Sequence, residues 1–287
     1  MIAADKQAPI AHEVLVEEIE HALEAVREQN PLVGSLTNTV TIDFVANAQL
    51  AIGGSAAMVY LPDEAEALVT TGGAFYLNMG TLLPLYEQTV PRIAQTAVAT
   101  KTPWVLDPVG LGIGSLRTKL VSDLKLFKPT IIRGNASEII ALASLWQLSG
   151  EEAEVSRAKG VDSADEVDDA REAAICIARY TGGAVVVSGE TDLVTDGSNV
   201  ALVEGGSPLM GKVTGFGCSQ GGVLAVYAAV ARPFTAALAG VAHYKCAGTK
   251  AAGQSSGPAS FKVAFIDALY QAAPADVASN PFEVELA

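Results

Sequence analysis

Cysteine, histidine and aromatic residues are all scarce in this chain, and each scarcity excludes a class of protein or site. The 287 residues include three cysteines and three histidines, and aromatic side chains make up 6% of the sequence. Three widely spaced thiols form neither a disulfide framework nor a Cys-x-x-Cys metal site, and so few histidines argue against a histidine-based zinc centre. With few aromatic residues, the core must be built from Ala, Val, Leu and Ile.

Positively charged residues are also few. Eighteen Lys and Arg residues stand against 32 Asp and Glu residues, which gives a formal net charge of −14. A field of this sign repels nucleic acid and anionic membranes, so we expect neither as a partner. The apolar segment 221–231 is too short to span a bilayer, and residues 1–30 lack the positive start and apolar core of a signal peptide. We therefore expect a soluble, cytoplasmic protein.

Short apolar runs that alternate with helical patterns indicate the fold class. Hydrophobic residues make up 50% of the chain, a composition typical of parallel strands that helices bury on both faces. Strands are predicted at 56–60, 74–78, 104–107, 130–133 and 184–188, and helices at 11–29, 41–52, 62–71, 84–99, 115–127 and 136–147. Repeated βα units of this kind predict an α/β fold with a doubly wound, mostly parallel sheet flanked by helices.

The C-terminal part of the chain departs from this alternation. Short runs at 193–195 and 200–203, separated by Asp-Gly-Ser-Asn, predict a β-hairpin. Three helices are predicted within 217–274, and the tail after Pro274 is predicted to be loose. Segment 150–172 is strongly acidic, which is compatible either with an acidic docking surface or with a solvated loop that leads into a helix. No linker or repeat divides the chain, so we predict a single domain over 1–287 with an ordered core from about 11 to 274.

A glycine turn before an apolar helix is the strongest local signal. The run Lys-Val-Thr-Gly-Phe-Gly-Cys occupies 212–218 and leads directly into the apolar segment 221–230. A Gly-x-Gly turn at a helix start leaves backbone N–H groups free to bind an anion, and glycine permits close approach of the ligand. The same pattern also occurs in tight turns that bind nothing. Cys218 lies just inside the helix, where the positive end of the helix can lower the pKa of a thiol.

Charged and polar residues follow three predicted strands. Asp107 follows a buried strand, Arg133 and Glu138 follow another, and Ser188 ends a third. Ligands bind beyond the carboxyl ends of the strands in open parallel sheets. Asp107 and Glu138 suit a magnesium ion held through water, and Arg133 suits nucleotide phosphates. Asn135 and Glu138 also fit a helix-capping pair that needs no catalysis, and Asp107 before proline fits a simple turn.

Taken jointly, the motifs resemble the hydroxyethylthiazole kinase family of the thiamine pathway, over roughly residues 15 to 265. The motifs are Thr-Asn at 37–38, Asn-Met-Gly-Thr at 78–81, Asp-Pro-Val-Gly at 107–110, Arg-Gly-Asn-Ala-x-Glu at 133–138, Ser-Gly-Glu at 188–190 and Lys-Val-Thr-Gly-x-Gly-Cys at 212–218. The resemblance implies a ribokinase-like fold and the magnesium- and ATP-dependent phosphorylation of the primary alcohol of 4-methyl-5-(2-hydroxyethyl)thiazole. It also implies a homotrimer with active sites shared between neighbouring subunits.

The resemblance also implies a role for individual residues. They are Met58, Gly215 and Asn38 for the thiazole, Arg133 and Ser188 for ATP, Asp107 and Glu138 for the metal, and Cys218, Gly215 and Gly217 for catalysis. The chain departs from the family pattern at Gly34, where a histidine is expected, at Ser188, which replaces a threonine, and at Phe216, where the residue is usually small. The segment before Met58 also lacks an expected proline. Phe216 within the anion-binding turn bears most directly on substrate size.

Two other functions are compatible with the same features. One is an ATP-dependent dehydratase of the same fold, which removes water from a hydrated cofactor. The residues around Asn38 and Met58 favour the thiazole kinases over it. The other is a thiazole- or nucleotide-binding sensor without turnover. The chain retains Asp107, Glu138, Arg133 and the glycine turn. This argues against a sensor, which does not need all of the residues that bind metal and phosphate.

Overall fold

The computed structural model describes residues 9–148 and 165–287, except for the side chains of 165–169. Most of the acidic segment 150–172 lies outside this range, so its possible role as a docking surface stays a prediction. The strands are β1 (Leu32–Leu36), β2 (Ser55–Met58), β3 (Ala74–Asn78), β4 (Trp104–Asp107), β5 (Ile131–Asn135), β6 (Ala184–Ser188), β7 (Asp192–Thr195), β8 (Asn199–Val203) and β9 (Phe282–Leu286). The helices are α1 (His12–Gln29), α2 (Ile42–Ala51), α3 (Pro62–Thr71), α4 (Tyr86–Thr100), α5 (Ser115–Leu124), α6 (Ala136–Leu145), α7 (Asp165–Thr181), α8 (Phe216–Ala228), α9 (Pro233–Ala252), α10 (Pro258–Gln271) and α11 (Pro274–Ala278).

The nine strands of the described residues form one sheet in the order β2-β1-β3-β4-β5-β6-β7-β8-β9. Neighbouring strands are parallel from β2 to β6 and antiparallel from β6 to β9. The predicted hairpin is therefore confirmed as β7 and β8. The strand order reverses at β1, because β2 pairs with one side of β1 and β3 pairs with the other. A reversal of this kind opens a crevice at the carboxyl ends of the strands.

Two hydrophobic layers cover the sheet, one on each face. Successive residues of β3 alternate between them: Phe75 and Leu77 face one layer, and Tyr76 faces the other. Helices α3 to α7 contribute to the first layer, and α1, α2 and α8 to α11 contribute to the second. This arrangement is the predicted doubly wound α/β fold. Large aliphatic side chains dominate the strands because both of their faces are buried.

Local sequence signals place most element boundaries where they were predicted. The predicted ranges of β3, β4, β6 and α3 agree with the structure at both ends. Helices α3 and α9 begin with Pro62 and Pro233, which suit a first helical position because no N–H is needed there. Helix α1 ends at Asn30 in the left-handed conformation, with φ 44°, directly before Pro31.

Two predictions about secondary structure were wrong or incomplete. The tail after Pro274 is not loose, since it forms α11 and the edge strand β9, which pairs with β8 along its length. Phe282 of that strand is buried and stacks on His12 with ring centroids 4.4 Å apart. Strand β1 was not predicted, because Gly34 and Ser35 interrupt its apolar run. No helix within the described residues combines the length and apolar content needed to cross a bilayer.

Candidate functional site

The carboxyl ends of the central parallel strands bring most of the predicted residues together. Asp107 ends β4, Arg133 lies in β5 and Ser188 ends β6. Asn38 follows β1 in the loop before α2, across the reversal of strand order from Asn78 at the end of β3. The crevice expected of the fold therefore has an acid, a guanidinium, a hydroxyl and two amides on its floor.

Asp107 is fully buried at the centre of this group. Its Oδ2 accepts hydrogen bonds from the Tyr76 hydroxyl at 3.0 Å and from Asn78 Nδ2 at 3.1 Å, and Arg133 Nη1 lies 3.6 Å away. Burial raises the pKa of Asp107 to about 7, and the positive charge of Arg133 opposes that shift while the carboxylate of Glu138 adds to it. Desolvation of this acid therefore outweighs the stabilisation of its charge by the neighbouring guanidinium and hydrogen-bond donors.

The second oxygen of Asp107 suits a metal or a metal-bound water. Oδ1 is buried and has no hydrogen-bond partner among the residues that the structure describes. A buried carboxylate oxygen without a donor is costly unless a ligand completes it. Magnesium typically binds through one or two carboxylates, with water and phosphate oxygens completing its shell. Within the described residues no cluster of three or more His, Cys, Asp or Glu side chains is suited to a metal ion.

Glu138 forms the capping pair that the sequence suggested as an alternative to a metal role. Its Oε2 accepts from the backbone N–H of Asn135 at 3.0 Å, and Asn135 Oδ1 accepts from the backbone N–H of Glu138 at 2.9 Å. Oε1 accepts from the backbone N–H of Gly110 at 3.2 Å, so the same side chain also holds the loop that follows Asp107. The capping interpretation is confirmed. A metal role for Glu138 is compatible with it, because a carboxylate has further lone pairs.

Arg133 is buried and fixed by hydrogen bonds on two sides. Nη2 donates to Ser188 Oγ at 2.5 Å, and Nε donates to Gln220 Oε1 at 3.0 Å. With Asp107 near Nη1, the guanidinium has a defined orientation at the floor of the crevice. A guanidinium held in this way presents a rigid positive charge to an incoming anion.

The predicted glycine turn faces this guanidinium. Gly215 precedes α8 with φ 94°, a left-handed conformation that favours glycine, and the first bond of the helix runs from the N–H of Ser219 to the carbonyl of Gly215 at 2.8 Å. The N–H groups of residues 216–218 consequently have no partner within the helix. A Cβ on Gly217 would lie 2.6 Å from Arg133 Nη1, so a larger residue here would displace the guanidinium. The helix start and the arginine, called the anion-binding corner below, place N–H groups without helical partners beside a positive charge.

Cys218 and Asn38 close the opposite side of the crevice. Asn38 Nδ2 lies 3.0 Å from Asn78 Oδ1 and 3.5 Å from Cys218 Sγ. Burial raises the pKa of Cys218 above its ordinary value, and the charge of Asp107 raises it further. The pKa shift is opposite to the one that a helix N-terminus alone would produce. Cys218 is therefore a neutral thiol at neutral pH.

A cavity of about 760 Å³ adjoins the anion-binding corner. It lies between the loop after β6, the 205–211 segment and helices α8 and α9, and both Arg133 and Lys245 line it. A volume of this size is in the usual range for small-molecule and cofactor sites. Gln220 and Lys245 are among the lining residues that no sequence motif indicated. The available signal for Gln220 was its position as a buried polar residue within an apolar helix.

Met58 lies away from Asp107. Two of the residues that depart from the family pattern, Phe216 and Gly34, lie against aromatic rings. Met58 ends β2, the edge strand, three strands from β4, so the structure does not bring it to Asp107 within one chain. Phe216 packs into an aromatic cluster, with ring centroids 4.7 Å from Phe265 and 4.9 Å from Phe44. It therefore does not obstruct the turn that it belongs to. At Gly34 a Cβ would lie 2.7 Å from the Phe75 ring, so the space for a histidine side chain is already filled.

Comparison with known proteins gives one consistent family. The model of the "HK: Hydroxyethylthiazole kinase family" matches residues 23–274. A hydroxyethylthiazole kinase of Bifidobacterium longum (strain DJO10A) is 47% identical over 284 residues, covering 93% of this chain and 90% of the relative. The structure of a hydroxyethylthiazole kinase from Pyrococcus horikoshii OT3 matches with a TM-score of 0.81 and 30% identity, over 94% of this chain and 99% of the other.

A more distant structural match supports the fold. A ribokinase-like superfamily protein from Enterococcus faecalis V583 superimposes with a TM-score of 0.59 at 12% identity, over 91% of this chain and 94% of the other. At this identity the likeness concerns the fold alone. The predicted ribokinase-like architecture is confirmed.

Proposed function

We propose that this chain, which belongs to the hydroxyethylthiazole kinase family, transfers the γ-phosphoryl group of ATP to the primary alcohol of 4-methyl-5-(2-hydroxyethyl)thiazole. The observation that carries the proposal is the convergence of the α8 N-terminus and the Arg133 guanidinium beside buried Asp107. Phosphoryl transfer depends mainly on positioning and on fixed positive charge around the transferring group. The corner between Gly215, Gly217 and Arg133 supplies both.

Arg133 and Ser188 are assigned to the nucleotide. Both line the 760 Å³ cavity, and the 2.5 Å hydrogen bond between them directs the guanidinium toward the turn at Gly217. In a chain with a net charge of −14, a buried arginine at this position concentrates positive potential where a polyphosphate would lie.

Asp107 and Glu138 are assigned to magnesium. The support is the unpartnered Oδ1 of Asp107 and the position of Glu138 at the loop that follows it. When bound with ATP, the ion would neutralise negative charge on the phosphates. Tyr76 and Asn78 orient the Asp107 carboxylate by donating hydrogen bonds to it. Glu138 holds the following loop by accepting from the N–H of Gly110.

Asn38, Gly215 and Met58 are assigned to the thiazole. Asn38 and Gly215 lie at the crevice, whereas Met58 ends the edge strand β2. We propose a homotrimer in which Met58 completes the site of a neighbouring subunit. Leu50 lies in α2, which packs against β2, and Leu61 follows Met58 by three residues; both side chains are exposed at this edge. Because Cys218 is a neutral thiol, we assign it to the wall of the substrate site and give it at most a secondary role in proton transfer.

The remaining assignments follow from these. We propose that the chain is a single kinase domain, since strands from residue 32 to residue 286 share one sheet. We place the reaction in the cytoplasm, where ATP is available. No observation in the structure favours the dehydratase or the sensor over the kinase.

Incubation with magnesium and ATP tests the function directly. The protein is supplied with the hydroxyethylthiazole and with a panel of small primary alcohols, and phosphorylated products are detected by mass spectrometry. We expect the thiazole phosphate as the main product. Phosphorylation of another alcohol without the thiazole would reassign the substrate, and ATP-dependent loss of water from a hydrated cofactor would favour the dehydratase.

A further inference from the structure

Gln220 is a buried polar residue within the otherwise apolar helix α8. Its Oε1 accepts a hydrogen bond from Arg133 Nε at 3.0 Å, and its Nε2 donates to Asp192 Oδ2 at 2.7 Å. The two ends of an amide differ, since one only accepts and the other only donates. Because each end meets its complement, the orientation of the Gln220 side chain is fixed.

The partner of Gln220 is itself held by a buried ion pair. Asp192 Oδ1 lies 3.0 Å from Lys245 Nζ in an ion pair and accepts a hydrogen bond from the backbone N–H of Gly189 at 2.9 Å. Lys245 also donates to the carbonyls of Gly189 at 3.0 Å and Glu190 at 2.7 Å. The ammonium is therefore held by two carbonyl oxygens and by the charge of Asp192. A buried network in which every member is satisfied is rigid, whereas a partly satisfied one is costly.

We propose that Gln220 is a positioning residue for Arg133, held in place by the Asp192–Lys245 ion pair. The proposal rests on the proposed function in one respect, that Arg133 binds the nucleotide phosphates. With Nε held by Gln220, the guanidinium stays 3.6 Å from Asp107 and keeps its other edge toward Ser188 and the glycine turn. Without Gln220, attraction would draw Arg133 onto Asp107. A closed ion pair would remove both groups from ligand binding.

A charge exchange between residues 192 and 220 tests this directly. In the parent, Gln220 Nε2 donates to Asp192 Oδ2 at 2.7 Å. In Q220E a carboxylate takes the place of this donor, so two negative charges face each other and repel. In the double variant Q220E/D192N the introduced amide can donate to the introduced carboxylate, which can still accept from Arg133. The total charge equals that of the parent, the direction of the hydrogen bond between residues 192 and 220 is reversed, and the negative charge moves from beside Lys245 to beside Arg133.

ADP binding by calorimetry is the readout, because it does not depend on which alcohol the enzyme phosphorylates. We expect Q220E to weaken ADP binding about tenfold or more, as loss of a charged hydrogen bond does, and the double variant to recover to within about threefold of the parent. R133K sets the scale for loss of the bidentate guanidinium. Buried Gln49 of α2 donates to Ser35 Oγ at 3.0 Å and to the Gly222 carbonyl at 3.3 Å. Q49E is therefore the matched control, expected to lower Tm and to leave ADP affinity within about twofold.

Three results would overturn the proposal. If Q220E binds ADP as tightly as the parent while R133K binds ADP more weakly, Arg133 needs no positioning by Gln220. Failure of the double variant to recover would show that a hydrogen bond between residues 192 and 220 is not sufficient to position Arg133. Unchanged affinity in R133K would remove Arg133 from the nucleotide site and the proposal with it, whatever the alcohol. If Q220E does not fold, Q220M, which lacks both hydrogen bonds at similar volume, is judged by the same tenfold criterion.

Discussion

Replacing Gly217 with alanine separates the function of the turn before α8 from its contribution to stability. An ideal Cβ at this position would lie 2.6 Å from Arg133 Nη1, 2.7 Å from Nη2 and 2.9 Å from Cζ. Ordinary contacts begin at 3.4 Å, so the guanidinium must move by about 0.8 Å. The atoms in the way belong to the end of a flexible side chain, so the fold can accommodate the methyl group. The guanidinium of Arg133 therefore moves, and the backbone of the turn stays in place.

The expected loss is large for catalysis and small for stability. Moving Arg133 stretches its hydrogen bonds to Ser188 and Gln220, now 2.5 and 3.0 Å, and displaces positive charge from the anion-binding corner. A misplacement of about 1 Å, or loss of one fixed donor, typically lowers the rate by about 10²- to 10³-fold. Alanine in place of glycine within a helix gains up to about 1 kcal/mol in helix propensity. Tm should therefore stay near the parental value, and Gly217→Val should be still less active.

Single-turnover phosphorylation and thermal unfolding measure the two effects. The matched control is Gly253→Ala at the end of α9, where the backbone is also right-handed and a Cβ would lie 3.7 Å from its nearest neighbour, the Lys250 carbonyl. We expect parental activity and an equal or higher Tm in that control. A Gly217→Ala variant with parental activity would refute the anion-binding corner. A fall in activity that is matched by a fall in Tm would mean that the turn matters only for folding.

Three further predictions concern the acids and the thiol. Cys218→Ala should slow the single-turnover rate while leaving it measurable, and Cys218→Asp should restore base function; an inert alanine variant that still binds ATP and thiazole would make the thiol essential. Asp107→Asn and Glu138→Gln should each raise the magnesium concentration needed for half-maximal rate and leave thiazole binding intact; parental magnesium dependence in both would leave them purely structural. Because the folded pKa of Asp107 is raised to about 7 from an ordinary 3.8, the folded state binds the extra proton between these values. The free energy of unfolding should fall by about 2 kcal/mol between pH 5.5 and pH 8 relative to Asp107→Asn. Parallel pH profiles from chemical denaturation would contradict the raised pKa.

Sequence periodicity predicted the sheet wherever a strand is locally continuous. The runs at 74–78, 104–107 and 184–188 are buried on both faces, so their composition alone distinguishes them from loops. β1 and β9 lack that signal. Gly34 and Ser35 interrupt the first, and the second alternates Glu283 and Glu285 with apolar residues, the pattern of a strand with one solvated face rather than of a strand buried on both faces. Both become strands because a neighbouring strand completes their backbone hydrogen bonds, which is a tertiary effect.

The sequence by itself also determined which residue types the site contains, because strand ends and helix starts can be identified locally. Asp107, Arg133 and the turn at Gly217 were identified in this way. Only the tertiary structure decided their states. Packing of the crevice buries Asp107 and raises its pKa, and the same burial raises the pKa of Cys218, which its helix position alone would have lowered. Gln220 reaches Arg133 from 87 residues away in the sequence, and no local pattern contains a contact of that range. Desolvation and long-range hydrogen bonds depend on how the chain packs, and for that reason they were decided by the fold.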